Sequence, residues 1–446
     1  MSANDPDSGS TAPRVRQAPP ADMFIRGSNV LDETGDFASR VDVLVAHGVV
    51  VALGRDLSPG ASKVTLDGDG LWLLPGIFDC HVHTGLSSFD TLELLRTPFS
   101  RRVLETAQVL RRTLRAGVTF VRDAGIADAG VRDAVAVGHV PGPTMQVSVV
   151  AIGSTGGHTD GFLTGPGLEC SVDYSLPDYP GQPPHLADGP DEMRKVVRLA
   201  LRSGADWIKL VATRGVLATS DGGFDPELSF EDLAAAVSEA GRRRRPVMVH
   251  ALGGDAIGWA IEAGARSIEH GIFLTEADAA AMAARGCFFV PTLAIYERLV
   301  ASARSGELDP GRAARAFEVG ERLGEAVQIA RAAGVKVALG SDFGHRDDHG
   351  RNLSELALLH RAGLSVEEAL LAGTSVGAEL CGVGDRLGRI APGYEFDAIV
   401  LDQEPTDLAQ LSEPGAVTGV FQRGVPVVVH PRLHVDNTPG TLTWVI

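Results

Sequence analysis

The hydrophobic pattern divides the chain into three stretches. Short apolar runs at 23–29, 41–46, 49–53 and 63–66 are separated by Gly and Asp turns, and the same texture returns at 398–401, 417–422 and 425–430. Tight turns between short strands predict antiparallel pairing at both ends. Between these ends, apolar runs of strand length alternate with amphipathic stretches, which predicts parallel βα units. Eight strands are expected, at 73–83, 118–123, 146–152, 207–212, 247–250, 267–270, 288–291 and 336–342, with helices between them, among others at 192–202, 230–243, 256–263 and 312–333. Ala-Gly-Val or Ala-Gly-Ala punctuates the pattern at 116–118, 263–265 and 333–335, and Gly directly after a helical stretch is a C-cap signal. Eight parallel units close naturally into a (β/α)8 barrel; a doubly wound sheet is the structural alternative. One connection, 153–190, is long, rich in Gly and Pro and without helical period. Following the third strand, it should rise as a functional loop from the face where the strands end.

Composition narrows the function. The chain has 446 residues, 44% of them hydrophobic and 22% charged, enough for one large barrel plus a smaller domain. A formal net charge of -17 argues against nucleic-acid binding, which needs clustered Lys and Arg. The basic run 242–245 sits at a helix end, where it complements the helix dipole. The four cysteines are scattered without zinc-finger spacing and are expected to be reduced, which suggests the cytoplasm. No apolar run reaches membrane-spanning length, and the Ser-, Pro- and Asp-rich start reads as a disordered arm. Oligomeric state is not readable from the pattern, and a homo-oligomer stays open.

The chemistry lies where polar residues close apolar strands. In the first strand His81 and His83 are two apart and share a face, about 6–7 Å apart along the strand, close enough for one metal. Cys80 faces the other way and belongs to the core. Asp79 is read as structural. Lys209 stands in the middle of the apolar fourth strand, a costly place unless the amine is paired or modified. The fifth strand ends in His250, the sixth in His270 and the eighth in Asp342. A single strand-end His or Asp is usually a satisfied polar group or a helix cap, and Lys209 alone could snorkel to solvent. Metal-capable side chains on five separate strand ends of one barrel face are not explained that way.

These stretches resemble the amidohydrolase superfamily, in its imidazolonepropionase-like and prolidase-like (Xaa-Pro or Xaa-Arg dipeptidase-type) branch, over nearly everything from residue 23 onward. The matching pieces are Pro75-Gly76-Ile77-Phe78-Asp79-Cys80-His81-Val82-His83, Val121-Arg122-Asp123-Ala124-Gly125, Gly156-Gly157-His158, Ile208-Lys209, Ile268-Glu269-His270-Gly271, Val290-Pro291-Thr292-Leu293, Gly340-Ser341-Asp342 and Leu387-Gly388-Arg389-Ile390-Ala391-Pro392-Gly393. The resemblance implies a barrel over 75–388 and a small β-sandwich built from 23–74 and 389–446, with the arm at 1–22 outside both. It also implies that His81, His83 and Asp342 hold one metal, that His250 and His270 hold a second, and that Lys209, carboxylated by CO₂ to N6-carboxylysine, bridges the two. A buried amine beside cations has a lowered pKa and can take up CO₂, so the chemistry is consistent. Zn²⁺ is the default metal for such a set; Mn²⁺ and Co²⁺ suit similar ligands. Two such ions share a hydroxide and polarise a carbonyl, and Asp342 would take the nucleophile's proton and pass it to the leaving amine. His158 is implied to contact substrate.

Two departures bear on specificity. The family's Thr-Gly-Gly-Val after the fourth strand is Thr213-Arg214-Gly215-Val216 here, and Arg214 is a candidate for binding a substrate carboxylate. Leu228 stands before Ser229 where some prolidase-like members carry an aromatic. The expected reaction is hydrolysis of an amide C–N bond in a small substrate, a dipeptide or N-acyl amino acid. Another amide (ochratoxin-like compounds included), an ester or a carbamate is the nearest alternative, and imidazolone-type ring opening is a further one. A mononuclear deaminase would need a Glu soon after His250, where the chain has Ala251-Leu252-Gly253-Gly254-Asp255. A non-catalytic scaffold would need lost ligands, and none is lost. His345 and His349 are expected only at the rim, and His139, His185, His360, His430 and His434 read as ordinary histidines.

Overall fold

The computed structural model describes residues 22–60, 62–161, 179–218 and 223–435. The expected N-terminal arm, apart from residue 22, the centre of the 153–190 connection and the final residues of the expected C-terminal β region lie outside them.

The chain opens with β1 (Met23–Leu31), β2 (Phe37–Ala46), β3 (Val49–Gly54), β4 (Val64–Asp67) and β5 (Trp72–Pro75). Gly76 then hands it to a parallel core. There β6 (Ile77–Val82), β7 (Val118–Asp123) and β8 (Thr144–Val147) form one sheet. β9 (Ala151–Ile152), β10 (Ile208–Val211), β11 (Val247–Ala251), β12 (Ser267–His270) and β13 (Phe288–Val290) form another. Nearly every residue of these strands is buried, as parallel strands covered on both faces require. Two runs read as single strands are thus split. The run 73–83 divides at Gly76 between two sheets. The run 146–152 breaks between β8 and β9, where Val149 takes a left-handed φ of 68° that no strand can carry.

The expected eighth strand is an irregular segment that still bonds on both sides. Ala338 N–H donates to Phe289 O at 2.9 Å on the β13 side, while Cys80 N–H donates to Leu339 O at 2.8 Å and His83 N–H to Phe343 O at 2.9 Å on the β6 side. Asp342, at φ 53°, ends its extended course.

The chain's end returns with β14 (Ala398–Leu401), β15 (Val417–Gln422), β16 (Val425–Val428) and β17 (Leu433–Val435). β14 pairs antiparallel with β5 and β17 with β4, so strands from both termini make one mixed sheet. Its period of two divides the cores: Ala398 and Val400 join Ile25, Val43, Leu66 and Phe421, while Ile399 and Leu401 point into the large core of the parallel region.

The helices Pro190–Arg202, Phe230–Gly241 and Asp255–Ala263 fall where the period placed them. Gly117, Gly264 and Gly334 all take positive φ (99°, 101° and 75°) after their helices, as C-caps do. The long helix expected at 312–333 is two, Pro310–Arg322 and Glu325–Ala332, parted at Gly324 with φ 99°. Arg242 caps the helix that ends at Gly241, and Arg245 lies 3.6 Å from Asp206. Among the described residues no helix is long and apolar enough to cross a membrane.

Candidate active site

The ends of β6, β10, β11 and β12, with the segment through Asp342, open into one cavity of about 190 Å³. His81, His83, Lys209, His250, His270 and Asp342 all line it, and so does His158. The rings of His81 and His83 are 5.5 Å apart, those of His81 and His270 5.0 Å, and those of His250 and His270 4.4 Å. Asp342 Oδ1 stands 3.1 Å from His83 Nε2 and 3.6 Å from His81 Nε2, and Asp342 Oδ2 lies 4.0 Å from His270 Nδ1. Lys209 Nζ is 3.2 Å from His81 Nε2.

Most of these rings are aimed from behind. His81 Nδ1 is held by the Glu269 carboxylate at 2.6 Å, His83 Nδ1 by Gly125 O at 3.2 Å, and His270 Nδ1 by the Thr292 hydroxyl at 2.7 Å. Fixing one ring nitrogen sets the tautomer and leaves the other for the cavity. Glu269 is fully buried and takes the Arg122 guanidinium on both oxygens at 2.9 Å, while Arg122 lies 4.5 Å over the Trp207 ring. Three residues at the site, His270, Thr292 and Asp342, hold left-handed φ of 73°, 53° and 53°. Side chains pay for such angles only where the surroundings over-determine them, as functional sites do.

The protonation states favour a cation. Burial drives His81, His250 and His270 well below the usual imidazole value, so each ring carries a lone pair at neutral pH. His83 is different: burial opposes its charge, but the Asp342 carboxylate outweighs that and raises it. Burial pushes Asp342 up, yet His81 and His83 hold it below the ordinary carboxylate value. Burial lowers Lys209 to about 8, which brings the free amine within reach near neutrality. His81, His83 and Asp342 offer ligand atoms within 4.8 Å of one another, a span one ion can bridge. His250 Nε2 is buried with no hydrogen-bond partner in the structure, a costly state for a nitrogen unless it ligates. The donor set therefore fits divalent metal.

His158 stacks on His250 with centroids 5.1 Å apart, and burial lowers it to about 4. It packs on Gly215, where a Cβ would come within 2.8 Å of the ring, so only glycine admits it. Arg214 is not brought to the cavity with the others. Its Nε faces the buried Glu227 carboxylate at 3.6 Å, which neutralises it away from the lining. His349 is buried and not at the rim, and burial holds it near 3. His185, His360 and His430 bond to Thr159 O, Leu364 O and Asp402. Asp79 accepts hydrogen bonds from Ser341 and Asn352, a structural task, although the strand period puts it on the face of His81 and His83. The sequence reading missed the roles of Arg122, Glu269 and Thr292. For the first two the signal was available: charged residues in buried strands, like Lys209, need a partner.

Several known proteins resemble this chain. The family model for the amidohydrolase family matches residues 72–427. Ochratoxinase of Aspergillus niger is 33% identical over 363 residues, covering 79% of this chain and 75% of that protein. Among solved structures, a prolidase complexed with N-methylphosphonate-L-proline superposes with a TM-score of 0.83 at 33% identity, covering 91% of this chain and 98% of the other. A Xaa-Pro dipeptidase with bound methionine in its active site gives 0.82 at 27%, over 91% and 99%. Aspergillus niger ochratoxinase itself gives 0.79 at 28%, over 92% and 96%. The chain belongs to the amidohydrolase family and is a hydrolase acting on carbon–nitrogen bonds.

Proposed function

We propose that this chain is a binuclear amidohydrolase that cleaves the amide of a small substrate, a dipeptide or N-acyl amino acid, at the mouth of a (β/α)8 barrel flanked by a β-sandwich. The observation that carries the reading is that six metal-capable side chains, from β6, β10, β11, β12 and the segment through Asp342, line one cavity. His81, His83 and Asp342 would hold one ion and His250 and His270 the other. Lys209 would join them: its amine adds to the carbon of CO₂, one proton leaves, and the carbamate supplies two oxygens. When bound, two divalent ions lower the pKa of a shared water towards about 7 and polarise the scissile carbonyl.

The chain's own groups do the rest. Asp342, held ionised beside His83, accepts the proton of the attacking water and returns it to the departing amine nitrogen. His158, neutral at pH 7, donates a hydrogen bond to the carbonyl oxygen as charge builds there. Glu269 keeps His81 from turning. A substrate of ochratoxin type is the second reading, favoured by the identity to ochratoxinase over 79% of the chain. The test is hydrolysis by zinc-reconstituted protein of dipeptide and N-acyl amino-acid panels, ochratoxin A included, with metal per chain measured alongside. Turnover with close to two ions per chain is expected. One ion at full activity would overturn the binuclear reading.

A further inference from the structure

Beside the histidines the cavity is lined largely by apolar side chains, Leu86, Phe89, Val216, Leu217, Ile295 and Leu299 among them, with Asp160 the one further carboxylate, already accepting the Gly156 N–H. Among the described lining residues the cations are Lys209, buried with the histidines, and Arg312. Arg312 stands in the first turn of the helix Pro310–Arg322, with its side chain 30% exposed. Its ion-pair partner is Asp309, whose Oδ2 lies 3.5 Å from Nε. That carboxylate is 56% exposed, and its other oxygen caps the helix by accepting the backbone N–H groups of Gly311 and Arg312, both at 3.0 Å. The contact is long and uses one edge of a group that carries five N–H donors. One turn on, Arg315 ties the helix to the wall by donating to Val216 O and Ala218 O at 3.2 and 2.8 Å.

We propose that Arg312 binds the free carboxylate of the substrate, and that with the apolar wall it selects amides of apolar amino acids whose carboxylate is not blocked. This rests on the amide-hydrolase reading above. A chain with a formal charge of -17 repels an anion at long range, so a carboxylate entering here needs a local cation. An apolar wall strengthens that pair by lowering the local dielectric, and a guanidinium fork matches a carboxylate with two parallel hydrogen bonds. Arg214 does not serve, because it does not line the cavity.

The test compares N-benzoyl-L-phenylalanine with its carboxamide on the metal-replete enzyme. The wild type should prefer the acid, and Arg312→Met should shrink that preference by roughly 30-fold, through KM and not kcat. Arg312→Lys should restore part of it. Arg322→Met, on the same helix, should leave it in place and so excludes a general charge effect. An unaltered preference in Arg312→Met overturns the inference. If the wild type hydrolyses neither compound, the reaction reading fails by itself, and calorimetric binding decides the anchor. Tighter binding of the acid than of the carboxamide, lost in Arg312→Met, sustains it; equal binding of both by the wild type overturns it.

Discussion

The floor of the cavity and the sheet made from the chain's two ends both bury charged side chains in β structure, and they satisfy them differently. In the floor, charge meets charge or a titratable ring: Arg122 sits on Glu269, Glu269 on His81, and Asp342 on His83. In the terminal sheet and at its margin, buried carboxylates meet neutral backbone donors. Asp42 accepts the N–H groups of Gly27 and Leu57 at 2.8 and 2.9 Å, and Asp397 that of Arg423 at 2.6 Å. Neutral donors suffice to bury a carboxylate for structure. A network of buried ions is no cheaper way to fold, since desolvation offsets much of its Coulomb energy. On the proposed function the floor holds its charges for chemistry, and damage there should appear in metal content and turnover, whereas damage in the terminal sheet should appear in stability.

The largest break in this comparison is expected from Lys209→Ala. If the amine bridges two ions as its carbamate, kcat/KM should fall by at least about 10³-fold, with metal per chain reduced. Added acetate or propionate should recover part of the rate by supplying the missing carboxylate. Full metal content and full rate in the variant would reduce Lys209 to a buried amine with no task. Next in size is Glu269→Gln. The amide keeps the shape but loses the charge that orients His81, so metal affinity should weaken about 10- to 100-fold. The variant also strands the Arg122 guanidinium, which costs about 3–5 kcal/mol where a buried pair is broken. Pairing it with Arg122→Met should return the stability and leave the metal defect, a separation that calorimetry and metal titration can read.

The same contrast explains what could be read from sequence. Floor residues announce themselves because charge in an apolar run is expensive: Lys209 stood out, and Arg122 and Glu269 carry an identical signal. Strand parity placed His81 with His83, but it puts Asp79 on that same face and could not tell its structural task apart. It could not follow the backbone where φ turns left-handed, as at Val149 and Asp342, so the third and eighth strands look more regular in sequence than in the fold. The break at Gly324 was hidden because helical period continues across it. Arg214 was singled out because it replaces a glycine of the family's Thr-Gly-Gly-Val, but side-chain direction in a loop depends on its neighbours, and Glu227 claims it. Arg312 comes from a helix about a hundred residues further along, and no local pattern marks it.

The smallest effect sharpens the comparison from the structural side. Burial raises Asp397 from 3.8 to about 6, its one backbone donor from Arg423 notwithstanding. A folded pKa above the unfolded one means that the native state binds the proton more tightly. The stability this group contributes is full below about pH 4 and is lost as pH rises through about 6. Across that window wild-type stability should decline relative to Asp397→Asn, which cannot titrate, by up to about 1.4 kcal/mol per pH unit. Above pH 7 the two curves should run parallel. Denaturant titrations at pH 4.5, 5.5 and 7.5 would trace the difference, and parallel curves throughout would mean that Asp397 titrates alike in both states. Metal content and kcat at pH 7.5 should be the same in both proteins, because this carboxylate sits just before β14 and does not line the cavity.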